Sequence, residues 1–137
     1  MDHKQLLGLD VGKARTGVAR GSSVARLAEP LTTIESDKLM KKLQELIKQY
    51  SVDGIVVGLP RNLDSQDTPQ TVWVRNWVTE AKKRIDKPFY WQDEALTSKL
   101  AEVQAKTGKH PADVDALAAS IILQDFLDTP VAERVVC

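Results

Sequence analysis

The chain has 137 residues, the size of one ordinary domain and long enough to bury a sound core. Hydrophobic residues make up 42% and charged residues 28%, and no apolar stretch approaches the roughly 20 residues of a membrane-spanning helix, which excludes a helical membrane protein. Lysine plus arginine and aspartate plus glutamate each total 19, so the formal net charge is zero and a broad nucleic-acid-coating role is excluded.

Met1 to Gln5 leads straight into an apolar strand without a signal-peptide pattern. Cys137 is the single cysteine and offers no internal disulfide, so a cytoplasmic, reducing location with no membrane partner is expected. Gln5 to Asp10 reads as a buried strand (Leu6, Leu7, Leu9) that ends in the turn Asp10-Val11-Gly12-Lys13. Thr16 to Arg20 and Ala25 to Ile34 continue as antiparallel strands broken by Gly21-Ser22-Ser23. A helix follows, with Leu39, Leu43, Leu46, Ile47 and Tyr50 at helical spacing and Ser36 or Asp37 placed to cap it.

Val52 to Leu59 contains Ile55-Val56-Val57, a wholly apolar run suited to a parallel strand covered on both faces. After a polar loop, Thr68-Pro69 opens a second helix whose buried stripe is Val74, Trp77, Val78, Ala81 and Ile85. The strand Pro88 to Gln92 delivers Asp93 and Glu94 at its end, and a third helix spans about Thr97 to Thr107. Pro111 starts a last helix, apolar on nearly every side from Ala116 to Leu123 and expected to be buried. The order predicts one domain over residues 1–137, an α/β fold with a mixed sheet flanked by helices.

Three acids hold unusual places. Asp10 closes an apolar strand, where open sheets carry their sites. Glu94 closes another. Asp115 shares its helix face with Ala118, Ala119 and Ile122, and a carboxylate on an apolar face must be paired, protonated or metal-bound. Each has a plain explanation taken singly: a turn former, a surface residue, and an acid favoured by the helix dipole. Taken together they make a candidate catalytic and metal-binding set of oxygen ligands, suited to Mg2+ or Mn2+.

Other chemistries lack their residues. His3, His110 and Cys137 make neither a nucleophilic triad nor a zinc site. Gly12 to Gly17 has phosphate-loop spacing, but Val18-Ala19 stands where lysine and serine or threonine are needed. Charge is unevenly spread. Lys13, Arg15, Arg20 and Arg26 fall in an acid-free stretch, and Asp113, Asp115, Asp125, Asp128 and Glu133 crowd the end. A basic rim beside an acidic pocket is one reading of this pattern, and chance clustering on a solvated face is the other.

Gly8-Leu9-Asp10-Val11-Gly12 with Arg15, Gly17-Val18-Ala19, Gly58-Leu59-Pro60, Asp93-Glu94 and Asp115-Ala116-Leu117-Ala118-Ala119 resemble the YqgF family, also called RuvX. This bacterial family has a ribonuclease-H-like fold. It has long been labelled as Holliday junction resolvases and is associated with maturation of the 5′ end of small-subunit ribosomal RNA. The resemblance spans roughly Leu6 to Leu127 and implies a five-stranded mixed sheet, with Asp10, Glu94 and Asp115 as the metal-binding catalytic acids. It implies phosphate contacts at Arg15 and Asn62, beside Lys13, and a nucleic-acid partner: structured RNA first, with ribosome-precursor association, and junction DNA second.

Three departures remove cationic or flexible groups near the implied substrate path. Ala95 stands where the family usually has arginine, Ala14 where it often has lysine, and Asp64-Ser65-Gln66 lacks a common glycine. Three function classes therefore stand: a metal-dependent rRNA-trimming nuclease, a dimeric junction resolvase, and a non-catalytic RNA-binding assembly factor. An actin-like phosphotransferase needs two such domains and is set aside.

Overall fold

A computed structural model describes residues 4–61, 66–95 and 111–137. Strands β1 (Gln5–Val11), β2 (Arg15–Ser22) and β3 (Ala28–Glu35) form an antiparallel meander. Helix α1 (Leu39–Gln49) carries the chain to β4 (Gly54–Arg61), and α2 (Pro69–Arg84) carries it to β5 (Phe89–Ala95). Helix α3 (Pro111–Asp128) and the short β6 (Val135–Val136) complete the described elements. The predicted helix near 97–107 lies outside the described residues.

The sheet has six strands in the order β3-β2-β1-β4-β5-β6, with β1, β4 and β5 mutually parallel. Five were expected. The extra strand, β6, is two residues long and antiparallel to β5, with Trp91 opposite Val135 and Tyr90 opposite Val136. A tail this short has no periodicity of its own; only the open edge of β5 makes it a strand. Cys137, which reads as a terminal loose end, donates its backbone N–H to the Phe89 carbonyl at 2.9 Å and packs against the core.

Alternation of side chains divides the sheet cleanly. Leu7, Leu9, Val11, Val18, Ile55 and Val57 pack against Leu39 and Leu43 of α1 and Val74, Val78 and Ala81 of α2. Leu6, Ala19 and Val56 pack against Ala119, Ile122, Leu123 and Phe126 of α3. Helix α3 is therefore buried along one side, while Asp115, Leu117, Ser120 and Ile121 keep partial solvent contact.

Local signals hold with two differences. Thr68 caps α2 reciprocally with Thr71, and Pro69 follows at the first helical position. Helix α1 has no side-chain cap: a 3-10 turn at Ser36–Lys38 precedes it, and the Ser36 hydroxyl donates instead to the Gly12 carbonyl at 2.6 Å. Strand β5 also runs further than its apolar part, since its ladder with β4 continues to Arg61 opposite Ala95. Asp93 and Glu94 thus fall within the last three residues of β5.

Candidate active site

The pairing of β1 with β4 stops at Leu9 and Val57. Beyond that level β1 stays paired to β2 and β4 to β5, so the two parallel strands part. Asp10 is the first residue past the last β1–β4 pair, at the kind of crevice where parallel sheets bind ligands. Leu6, Gly8 and Asp10 share the face covered by α3, and on β5 position 94 has the same parity as Tyr90, which packs against that cluster.

A missing side chain brings Asp115 here. Gly17 is the cross-strand partner of Asp10, and a Cβ placed on it would collide with the backbone carbonyl of Asp115. Helix α3 therefore lays the backbone of its fifth residue directly on β2, beside Asp10. The contact continues along the helix. A Cβ on Gly8 would meet Leu123 Cβ at 2.6 Å, and one on Gly58 would meet Ile122 Cδ1 at 2.5 Å. These clearances were not read from the sequence as part of the site; the available signal was glycine inside three strand-like runs.

The two acids also interact electrostatically. Burial, and after it the charge of Asp115, push the Asp10 carboxyl up from 3.8 to about 6. Asp10 accepts no hydrogen bond from the described residues. Asp115 is differently placed: Arg15 Nε donates to its Oδ2 at 2.8 Å, with the arginine and aspartate side chains 46% and 26% exposed. The structure thus joins Arg15 to Asp115, whereas the sequence reading has Arg15 contacting phosphate.

The remaining expected residues are distributed as follows. Lys13 is exposed at the β1–β2 turn, without a partner among the described residues. Glu94 lies in β5 opposite Pro60, and Asn62 lies outside the described residues. Among the described residues no three acidic, histidine or cysteine side chains form a metal-binding group. The acid-free stretch does not form one basic rim, since Arg20 points to Glu29 at 3.4 Å and lies 4.4 Å from the Tyr50 ring.

Neighbouring loops are fastened. Thr16 and Ser36 hydroxyls lie 3.0 Å apart, and Ser36 also holds the carbonyl of Gly12, which steadies the turn after Asp10. The Thr71 hydroxyl donates to the Pro60 carbonyl, tying the end of β4 to the start of α2.

Comparison with known proteins agrees with this architecture. A family model described as RuvX, Holliday junction resolvase, matches residues 4–129. A Roseiflexus sp. (strain RS-1) protein named "Putative pre-16S rRNA nuclease" is 40% identical over 133 residues, covering 91% of this chain and 94% of the relative. A relative of the same name from Chloroflexus aggregans is 37% identical over 136 residues, covering 93% and 96%. Among solved structures, Thermus thermophilus RuvC in complex with a Holliday junction substrate superposes with a TM-score of 0.62 at 16% identity, covering 98% of this chain and 100% of that one. Fowlpox virus resolvase with junction DNA gives 0.51 at 7% identity, covering 91% and 99%, so both share the fold. The chain belongs to the RuvX family of nucleases, with a ribonuclease-H-like fold.

Proposed function

We propose that Asp10, Glu94 and Asp115 hold a divalent metal, Mg2+ or Mn2+, and that the protein hydrolyses phosphodiester bonds at the 5′ end of precursor 16S ribosomal RNA. The observation that carries the site is Gly17: it seats the Asp115 backbone against β2 opposite Asp10, so that the two carboxylates sense each other's charge. Two acids whose charges interact, with no hydrogen bond to the Asp10 carboxyl among the described residues, form a set of hard oxygen donors that fits such a cation. A bound metal supplies charge neutralisation at the phosphate and a more acidic water. The chain's own part is to fix its carboxylates on rigid strands and a helix, and to present Lys13 and Arg15 at the rim for phosphate. Asn62 is proposed as a further substrate contact on the family's motif.

The rRNA substrate is supported by the names of the relatives from Roseiflexus and Chloroflexus. The second reading, a junction resolvase, is supported by the description of the matching family. Incubation with Mg2+ or Mn2+ against structured precursor RNA and four-way DNA, side by side, separates them: cleavage of RNA alone is expected. Asp10→Asn, Glu94→Gln and Asp115→Asn should each abolish cleavage with the fold intact. Because they act as one unit, the triple variant should be barely worse than any single one. Near-normal turnover from any single variant removes that residue from the site.

A further inference from the structure

The ion pair between Arg15 and Asp115 joins the proposed phosphate ligand to a proposed metal ligand. Arg15 opens β2 on the same face as Gly17, so its side chain rises toward the start of α3. Among the described residues only its Nε is engaged, at 2.8 Å from Asp115 Oδ2. The terminal nitrogens of the guanidinium have no partner among the described residues. Arg20, the other arginine of this strand, is held both by Glu29 and by the Tyr50 ring, so it has no such freedom.

We propose that Arg15 is an exchangeable counter-cation: it neutralises Asp115 in the metal-free protein and passes to a substrate phosphate when a divalent ion takes that carboxylate. This rests on the metal-site reading given above. A divalent ion at Asp115 removes the acceptor of Arg15 and places like charge beside it. Phosphate then becomes the better partner, since the planar fork of arginine matches two phosphate oxygens. The exchange is cheap, because an ion pair this exposed is weak. By linkage, metal and nucleic acid then each raise the affinity for the other.

Arg15→Gln tests this, since it keeps an unbranched polar side chain at an exposed position and removes the charge and the fork. By calorimetry the variant should bind Mn2+ more tightly than the unaltered chain, by about two- to fivefold, because the competing cation is gone. Nitrogen-detected NMR should show the Arg15 Nε proton protected from exchange in the metal-free protein and unprotected at saturating Mg2+. Binding of a short hairpin RNA, with Ca2+ as the divalent ion to keep the strand intact, should strengthen with metal in the unaltered chain and clearly less in the variant. Equal Mn2+ affinity of the two proteins, or an Nε signal indifferent to Mg2+, overturns the exchange while leaving the metal site standing. Absence of Mn2+ binding to either protein overturns both.

Discussion

At Gly17 and Gly58 the same substitution meets different obstacles. A methyl at Gly17 meets backbone, the carbonyl of Asp115, whereas one at Gly58 meets the end of the Ile122 side chain at 2.5 Å. A flexible side-chain tip turns aside; a helix must move as a body. Gly17→Ala should therefore destabilise by about 3 kcal/mol or more, and Gly58→Ala by about 1 kcal/mol, the ends of the usual range for overpacking. Urea midpoints check this, and Gly17→Ala should also lose cleavage, because lifting α3 separates Asp115 from Asp10. Asp10 makes the second residue-scale case. Its pKa is raised from 3.8 to about 6, so the folded state binds a proton more readily than the unfolded one, and stability falls as pH rises through that window. A shift of that size corresponds to at most about 3 kcal/mol. The residual solvent contact of Asp10 reduces the expectation to about 1–2 kcal/mol. Without metal, Asp10→Asn should match the unaltered chain below pH 4 and exceed it in stability by that amount above pH 6. Equal stability of the two at neutral pH would show that Asp10 ionises there at no cost.

The element with the least sequence behind it is β6. Val135 and Val136 are exposed, and what holds them is the ladder to β5, the Cys137–Phe89 hydrogen bond and the Lys82 ammonium on the Cys137 carbonyl at 2.7 Å. Packing against the core has a chemical consequence: burial pushes the Cys137 thiol up to about 12, against the opposing pull of Lys82 and Arg75. The reactive species is the thiolate, so alkylation at pH 8 should run at least about tenfold slower in the native protein than in urea. Equal rates in the two conditions would show β6 detached from the sheet. Helix α3 is the counterpart at the site. Its buried side is assured by Val114, Ala118, Ile122 and Phe126, yet its height above the sheet is set by glycines on three other elements.

At the scale of the whole molecule, the proposed metal site makes a prediction, since carboxylates gathered without a cation destabilise a fold and a bound cation stabilises it. Mn2+ at tenfold its dissociation constant should stabilise the protein by about 1.4 kcal/mol. For a chain of 137 residues that is a rise in Tm of roughly 3–6 °C. Asp10→Asn should show little of the shift. An unmoved Tm in the unaltered chain, or the same rise in both proteins, would mean that Asp10 and its neighbours hold no metal in common. The family and its fold would stand regardless, since they rest on the whole sheet and on relatives matched along most of the chain.

By itself the sequence determined most of the described elements and the identities of the candidate acids. Runs such as Ile55-Val56-Val57 and the stripe Val74, Val78, Ala81 carry their periodicity locally, and Asp10 stands out because it ends such a run. The ordered set of short motifs was enough to point to the family. Only the tertiary structure decided the sixth strand, the partner of Arg15 and the path of Arg20 away from the acids. It also gave Ser36 to Gly12 in place of the helix it precedes. Each of these depends on groups distant in sequence, Arg15 and Asp115 by 100 residues. Spacing along the chain carries no information about such distances. The strip of glycines makes the same point: Gly8, Gly17 and Gly58 are bare positions until a helix arrives to fill them, and what fills Gly17 is the backbone of a candidate metal ligand.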